Sequence, residues 1–177
     1  MDQNLVVAEN GNYQVVKPAN EIFVVDDDED MRDILGGSLE SEGFSVAAFE
    51  DGDSFLRAAK MRVPICVFLD VVLPQRSGLE ILQELRKRQY WTPIFLISAL
   101  DDITTAVEGM KNGAHDYIRK PFDRSVPVAR ARNAVEVWSR REREWRAFDL
   151  YPNGNCEWFR VSPDERAMLL LMRSMHT

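Results

Sequence analysis

The sequence predicts a doubly wound α/β domain built on a five-stranded parallel sheet. Three observations carry that prediction. Short, unbroken apolar runs recur along the chain, and helical spacings of three and four residues fill the intervals between them. Acidic, hydroxyl and basic side chains then fall at the ends of those runs. An unbroken apolar run marks a strand covered on both faces, which is the habit of parallel sheets.

The elements follow in order. Residues 1–20 have no clear period and contain the breakers Gly11 and Pro18, so they read as an N-terminal extension with one short extended piece. Ile22, Phe23, Val24 and Val25 form the first run. Met31, Ile34, Leu35 and Leu39 then recur at helical spacing, with Gly43 as the stop. A weaker strand is expected at 44–48, and a second helix on Phe55, Leu56 and Ala59 after Asp51-Gly52. Residues 65–69 make the third strand. Leu79, Leu82 and Leu85 mark the third helix, with Ser77 placed to cap it. Residues 94–97 make the fourth strand, and 101–112 the fourth helix, closed by Gly113. A weaker fifth strand at 115–118 leads to a fifth helix from about 123 to 148. Right-handed crossovers place the helices on both faces, and the expected strand order is the flavodoxin-like 2-1-3-4-5.

The bulk composition fits such a domain. The chain has 177 residues, is 45% hydrophobic and 29% charged, and carries a formal net charge of -7. That balance disfavours non-specific nucleic-acid binding and suits a site holding a divalent cation. No apolar stretch is long enough to span a bilayer, and the N-terminus lacks the basic and apolar regions of a secretory signal. Cys66 and Cys156 have no metal-ligand spacing, and Cys66 lies within an apolar run, as a buried thiol does. His115 reads as a strand-edge residue and His176 as terminal. A cytoplasmic protein is expected.

In open α/β sheets, ligands bind beyond the carboxyl ends of the strands. The first strand ends in Asp26-Asp27-Asp28, the third in Asp70 and the fourth in Ser98, and Lys120-Pro121 follows the fifth. Any one of these alone is ordinary, since acids favour helix N-termini and serve as solvated caps. Together they gather carboxylates, a hydroxyl and an ammonium at one edge. Clustered carboxylates repel one another unless a cation intervenes, and Mg2+ prefers oxygen ligands. With Mg2+ bound, Asp70 is suited to act as a carboxylate nucleophile toward a phosphoryl group. Lys120 is suited to pair with the phosphoryl oxygens, and Ser98 to donate a hydrogen bond to one of them.

The segments IFVVDDDEDMR, FLDVVLPQRSGLE, FLISAL and GAHDYIRKPF resemble the motif blocks of response-regulator receiver domains. The resemblance covers roughly residues 21 to 140, in the family's order and spacing. It implies that Asp70 is the acceptor, converted to 4-aspartylphosphate, and that Asp26, Asp27, Asp70 and the Val72 carbonyl hold Mg2+. Ser98 stands where the family has Thr or Ser. Lys120 is the family lysine, with a cis bond to Pro121, and Tyr117 matches the aromatic switch position. Ser98 and Tyr117 would couple the site to the face of the fourth helix, fifth strand and fifth helix, near 101–146. The resemblance also implies a sensor histidine kinase as phosphoryl donor and a homodimer formed on phosphorylation. The chain is then a signalling domain rather than an enzyme with external turnover. Positions 72 and 100 tune phosphoryl lifetime in the family. Neither Val72 nor Leu100 can hydrogen-bond an attacking water, so slow self-dephosphorylation is expected.

The remainder is expected to be a linker and a short helix at 141–177. Val128, Ala131, Val135, Trp138, Glu142 and Trp145 recur at three-four spacing. That seam fits either a partner helix or, in its first half, the protein's own sheet. Ser162-Pro163 opens a helix similar to the start of the helix-turn-helix output domains of transcription-regulating response regulators. DNA is then a partner only through a complete output region beyond this chain, and a stand-alone relay is the alternative. Two rival readings of the acid cluster itself are a metal-dependent phosphatase and an interaction domain with a vestigial site.

Overall fold

The structure, a computed structural model, describes residues 5–7, 13–15, 20–88, 90, 92–99 and 103–149, with side chains among residues 20–140. The chain divides into two compact units, 1–139 and 140–177, and the main sheet and candidate site lie in the first. Leu100, the loop at 151–155 and the helix expected from Ser162 fall outside the described residues.

Strands β1 (Leu5–Val7) and β2 (Tyr13–Val15) pair antiparallel. The expectation of one extended piece is thus corrected to two strands. Each strand is only three residues long, too short to show a period in the sequence.

The main sheet contains β3 (Glu21–Val25), β4 (Ser45–Phe49), β5 (Cys66–Asp70), β6 (Ile94–Ser98) and β7 (Asp116–Arg119), in the order β4-β3-β5-β6-β7. All four pairings are parallel. Counting these five strands alone, the order is the expected 2-1-3-4-5. β5 and β6 are buried at every residue, which is why their sequences are unbroken apolar runs.

Alternation along each strand sends side chains to two cores. Phe23, Val25, Val67, Leu69 and Leu96 face one side, where they meet Phe55 of α2 (Gly52–Ala59) and Ile81 and Leu82 of α3 (Gly78–Lys87). Ile22, Val24, Cys66, Phe68, Phe95 and Ile97 face the other. There they meet Leu35 and Leu39 of α1 (Glu29–Glu40), and Ala131, Ala134 and Trp138 of α5 (Ser125–Asp149). Helix α4 (Ile103–Lys111) comes so close to the sheet that a Cβ on Gly109 would lie 2.4 Å from Leu96 Cδ1.

The caps follow sequence logic. Ser77 accepts from the Glu80 N–H, and the Glu80 carboxylate accepts from the Ser77 N–H, a capping box that starts α3. Asp51 accepts from the Ser54 N–H at 2.7 Å, and this bond holds its carboxyl below the ordinary value. Gly43 and Gly113 both have positive φ after helices, as helix ends require.

The seam on α5 divides. Ala131 and Trp138 are buried on the sheet, Val128 is half-buried, and Val135 is exposed. The Trp138 indole N–H donates to the Ile65 carbonyl at 2.7 Å. The first half of the seam therefore packs within the domain, and the side chains of Glu142 and Trp145 lie outside those described. No helix among the described residues is long and apolar enough to cross a membrane.

Candidate functional site

The carboxyl edge of the main sheet brings three acids together. β3 delivers Asp26 and Asp27 just past its last residue, and β5 ends on Asp70. One oxygen from each of Asp26, Asp27 and Asp70 lies within 4.8 Å of the others. Asp26 and Asp70 are buried, and Asp27 is exposed.

Every polar atom of Asp26 is tied down. Its N–H donates to the Phe49 carbonyl at 3.1 Å, which anchors the strand end to β4. Oδ1 accepts from the Asp28 N–H at 3.1 Å, and Oδ2 from Lys120 Nζ at 2.7 Å. Its carbonyl accepts from an Arg32 guanidinium nitrogen at 2.8 Å. Asp28 itself caps α1, accepting from the N–H groups of Asp30 and Met31.

Asp70 is held from both sides. Oδ2 accepts from Lys120 Nζ at 2.6 Å, and Oδ1 from the Val72 N–H at 2.9 Å. The loop after it doubles back tightly. Gln75 has φ of 69°, the Arg76 N–H donates to the Pro74 carbonyl at 2.8 Å, and the Gly78 N–H donates to the Val71 carbonyl at 2.8 Å. A Cβ on Gly78 would sit 2.1 Å from the Asp70 carbonyl oxygen. Backbone cannot retreat from such an overlap without moving Asp70. Gly78→Ala is expected to destabilise the domain by about 1–3 kcal/mol, the usual cost of forcing atoms into a filled site. Urea unfolding with an unchanged midpoint would show that the loop adapts freely.

Lys120 follows the edge strand β7 and reaches across to both buried acids. Burial works against its charge, but its hydrogen bonds to Asp26 and Asp70 outweigh that and raise it above the ordinary lysine value. It is therefore a fixed cation. For Asp26, burial is the largest influence and the Asp70 charge adds to it. The carboxyl is raised above the usual range even though the bond from Lys120 opposes the shift. One ammonium against three carboxylates leaves net negative charge in a partly buried edge. The donor set is all oxygen, and it fits a hard dication.

Ser98 ends β6 fully buried, and its carbonyl accepts from the Lys120 N–H at 2.7 Å. Tyr117 lies opposite Leu96 on β7, half-buried against the core shared with α2 and α3. Val72 is 53% exposed at the mouth of the site, and the Lys120-Pro121 bond is cis. The structure thus brings Asp26, Asp27, Asp70 and Lys120 together, with the Val72 backbone alongside, while Ser98 and Tyr117 sit on the two strands beyond. Sequence reasoning missed Arg32 and Gly78. Arg32 carries a faint signal, lying four residues after the Asp28 cap and so one turn into α1.

Buried Cys66 belongs to the core beside α1 and α5, where burial pushes its thiol up and leaves it unreactive.

Comparison with known proteins agrees with this geometry. The family model for the response regulator receiver domain matches residues 22–132. Over 114 residues the chain is 42% identical to an uncharacterized transcriptional regulatory protein, YkoG of Bacillus subtilis, covering 64% of this chain and 50% of that protein. It is 39% identical over 114 residues to the transcriptional regulatory protein FixJ of Bradyrhizobium diazoefficiens, covering 64% and 56%. The crystal structure of the receiver domain of NtrX from Brucella abortus superposes with a TM-score of 0.62 at 39% identity, covering 65% of this chain and 98% of that one. The chain spans about half the length of the first two relatives. The motif order, the sheet topology and a family match over most of the first unit lead to one conclusion: the chain belongs to the response regulator receiver domain family.

Proposed function

We propose that this chain accepts a phosphoryl group on Asp70 from the phosphohistidine of a sensor histidine kinase, in a Mg2+-dependent reaction. The observation that carries the reading is Lys120 Nζ bonded to both Asp26 and Asp70, at 2.7 and 2.6 Å, within a three-carboxylate cluster. A carboxylate oxygen of Asp70 forms the new bond to phosphorus, and the bond from phosphorus to the imidazole nitrogen breaks. Lys120 moves its attraction from the Asp70 carboxylate to the phosphoryl oxygens, remaining paired with Asp26. Asp26, Asp27, Asp70 and the Val72 carbonyl would hold Mg2+. The metal, when bound, supplies charge neutralisation for the transferring oxygens.

Ser98 then donates its hydroxyl to a phosphoryl oxygen, and Tyr117 responds by moving inward beside β6. That change alters the face made by α4, β7 and α5, through which the chain would form a homodimer. Residues 21–140 make the receiver, 1–20 an extension and 141–177 a linker with a short helix. The output we propose is control of transcription from a cytoplasmic location, in line with the transcriptional relatives.

The test is intact mass after incubating the full chain with Mg2+ and a small acyl phosphate. A gain of one phosphoryl group per chain is expected, and a chelator should abolish it. No gain from the acyl phosphate or from a phosphorylated histidine kinase would overturn the reading in favour of an interaction domain with a vestigial site.

A further inference from the structure

We infer that Arg32 is a positioning residue for the acid cluster, acting through the backbone between Asp26 and Asp27. The inference rests on the proposed reading of that cluster as a Mg2+ site. The Arg32 guanidinium donates to the main-chain carbonyl of Asp26 at 2.8 Å, and not to a carboxylate of the cluster. That carbonyl belongs to the peptide unit whose nitrogen is that of Asp27. A peptide unit is planar, so holding its oxygen restrains the rotation of the whole unit about its two Cα atoms, and with it the Cα–Cβ direction from which the Asp27 carboxylate extends.

The two acids differ in how much they need this. Asp26 is buried and its carboxylate is already held by Lys120 and the Asp28 N–H. Asp27 is exposed, and its position in the cluster depends on the backbone that carries it. Arg32 lies one turn into α1, its own N–H bonded to the Asp28 carbonyl at 3.1 Å. The first turn of α1 is therefore a clamp that closes back on the strand end. Partners that orient ligands in this way are commonly worth 10- to 100-fold in metal affinity, roughly.

Charge and position predict opposite signs here. Arg32 is a cation near a cation site, so if it acted only by charge, removing it would tighten Mg2+ binding. If it acts by position, removing it loosens the same binding. Calorimetric titration of the full chain with Mg2+ decides between them. Arg32→Met keeps the aliphatic stem, and Arg32→Ala keeps helix propensity, so one variant stands in should the other fail to fold. We expect Mg2+ to bind about tenfold more weakly to either variant, measured on a variant that circular dichroism shows to be folded in the absence of divalent cation. Arg32→Lys, which retains a donor and the charge, should recover part of the loss. Affinity equal to or tighter than wild type in a folded variant overturns the inference. Absence of Mg2+ binding by the wild type overturns the cluster reading beneath it, and the two failures are distinguished by that one control.

Discussion

Asp70→Asn is expected to abolish phosphoryl uptake and to leave the fold in place. The amide has the shape of the carboxylate but is neutral and a poor nucleophile, so the bond to phosphorus does not form. Lys120 keeps Asp26 as its partner at 2.7 Å. The Val72 N–H keeps an acceptor, because the amide oxygen can occupy the place of Oδ1. The substitution also removes one of three mutually repelling charges. Loss of an ion pair and relief of repulsion oppose each other, and because Lys120 keeps Asp26 we expect the unfolding free energy to fall by less than the roughly 3–5 kcal/mol of a buried pair broken without compensation. Intact mass beside urea unfolding checks both halves. Uptake persisting at the wild-type level in the variant would mean that another side chain is the acceptor.

Trp138→Ala should destabilise the domain more than Gly78→Ala does, by about 3–5 kcal/mol. Trp138 is 7% exposed and packs with Ile65, Cys66 and Phe68 in the core beside α1 and α5. Truncation leaves a large cavity and also strips the Ile65 carbonyl of the indole N–H at 2.7 Å. An unpaired buried acceptor adds its own desolvation cost. Against a total stability of about 5–15 kcal/mol for a domain of this kind, that is a large share. Trp138→Phe, which keeps most of the ring volume and loses the donor, should cost much less. If Trp138→Ala instead cost under about 1 kcal/mol and changed only self-association, the indole would belong to an interhelical seam and not to the core.

The same tryptophan shows where sequence reading reaches its limit. Periodicity puts Trp138 on an apolar stripe with Ala131 and Val135, but it cannot say what faces a stripe. In the structure Ala131 and Trp138 face the sheet, Ala134 joins them, and Val135 is 38% exposed. The central strands are plain because both faces of β5 and β6 are covered, leaving no polar position to interrupt the run. β7 is harder, being an edge strand with Ile118 its one buried residue. β1 and β2 are illegible as a pair because three-residue strands are too short to show alternation. At the site, Asp26, Asp70 and Lys120 are legible because strand ends in this topology converge on one edge. Arg32 and Gly78 are not. One acts through a carbonyl six residues back, and the other by the absence of a Cβ beside Asp70. Both depend on where backbone atoms lie, which side-chain patterns do not report.

Asp70, rather than either acid of the neighbouring pair, is the proposed site of phosphorylation. The most direct test is chemical trapping. The full chain is phosphorylated with Mg2+ and an acyl phosphate, reduced with borohydride so that an aspartyl phosphate becomes homoserine, and sequenced by tandem mass spectrometry. Homoserine at position 70, with Asp26 and Asp27 unchanged, is the predicted result. Homoserine at 26 or 27, or at no position in a chain that has gained phosphoryl mass, would contradict it.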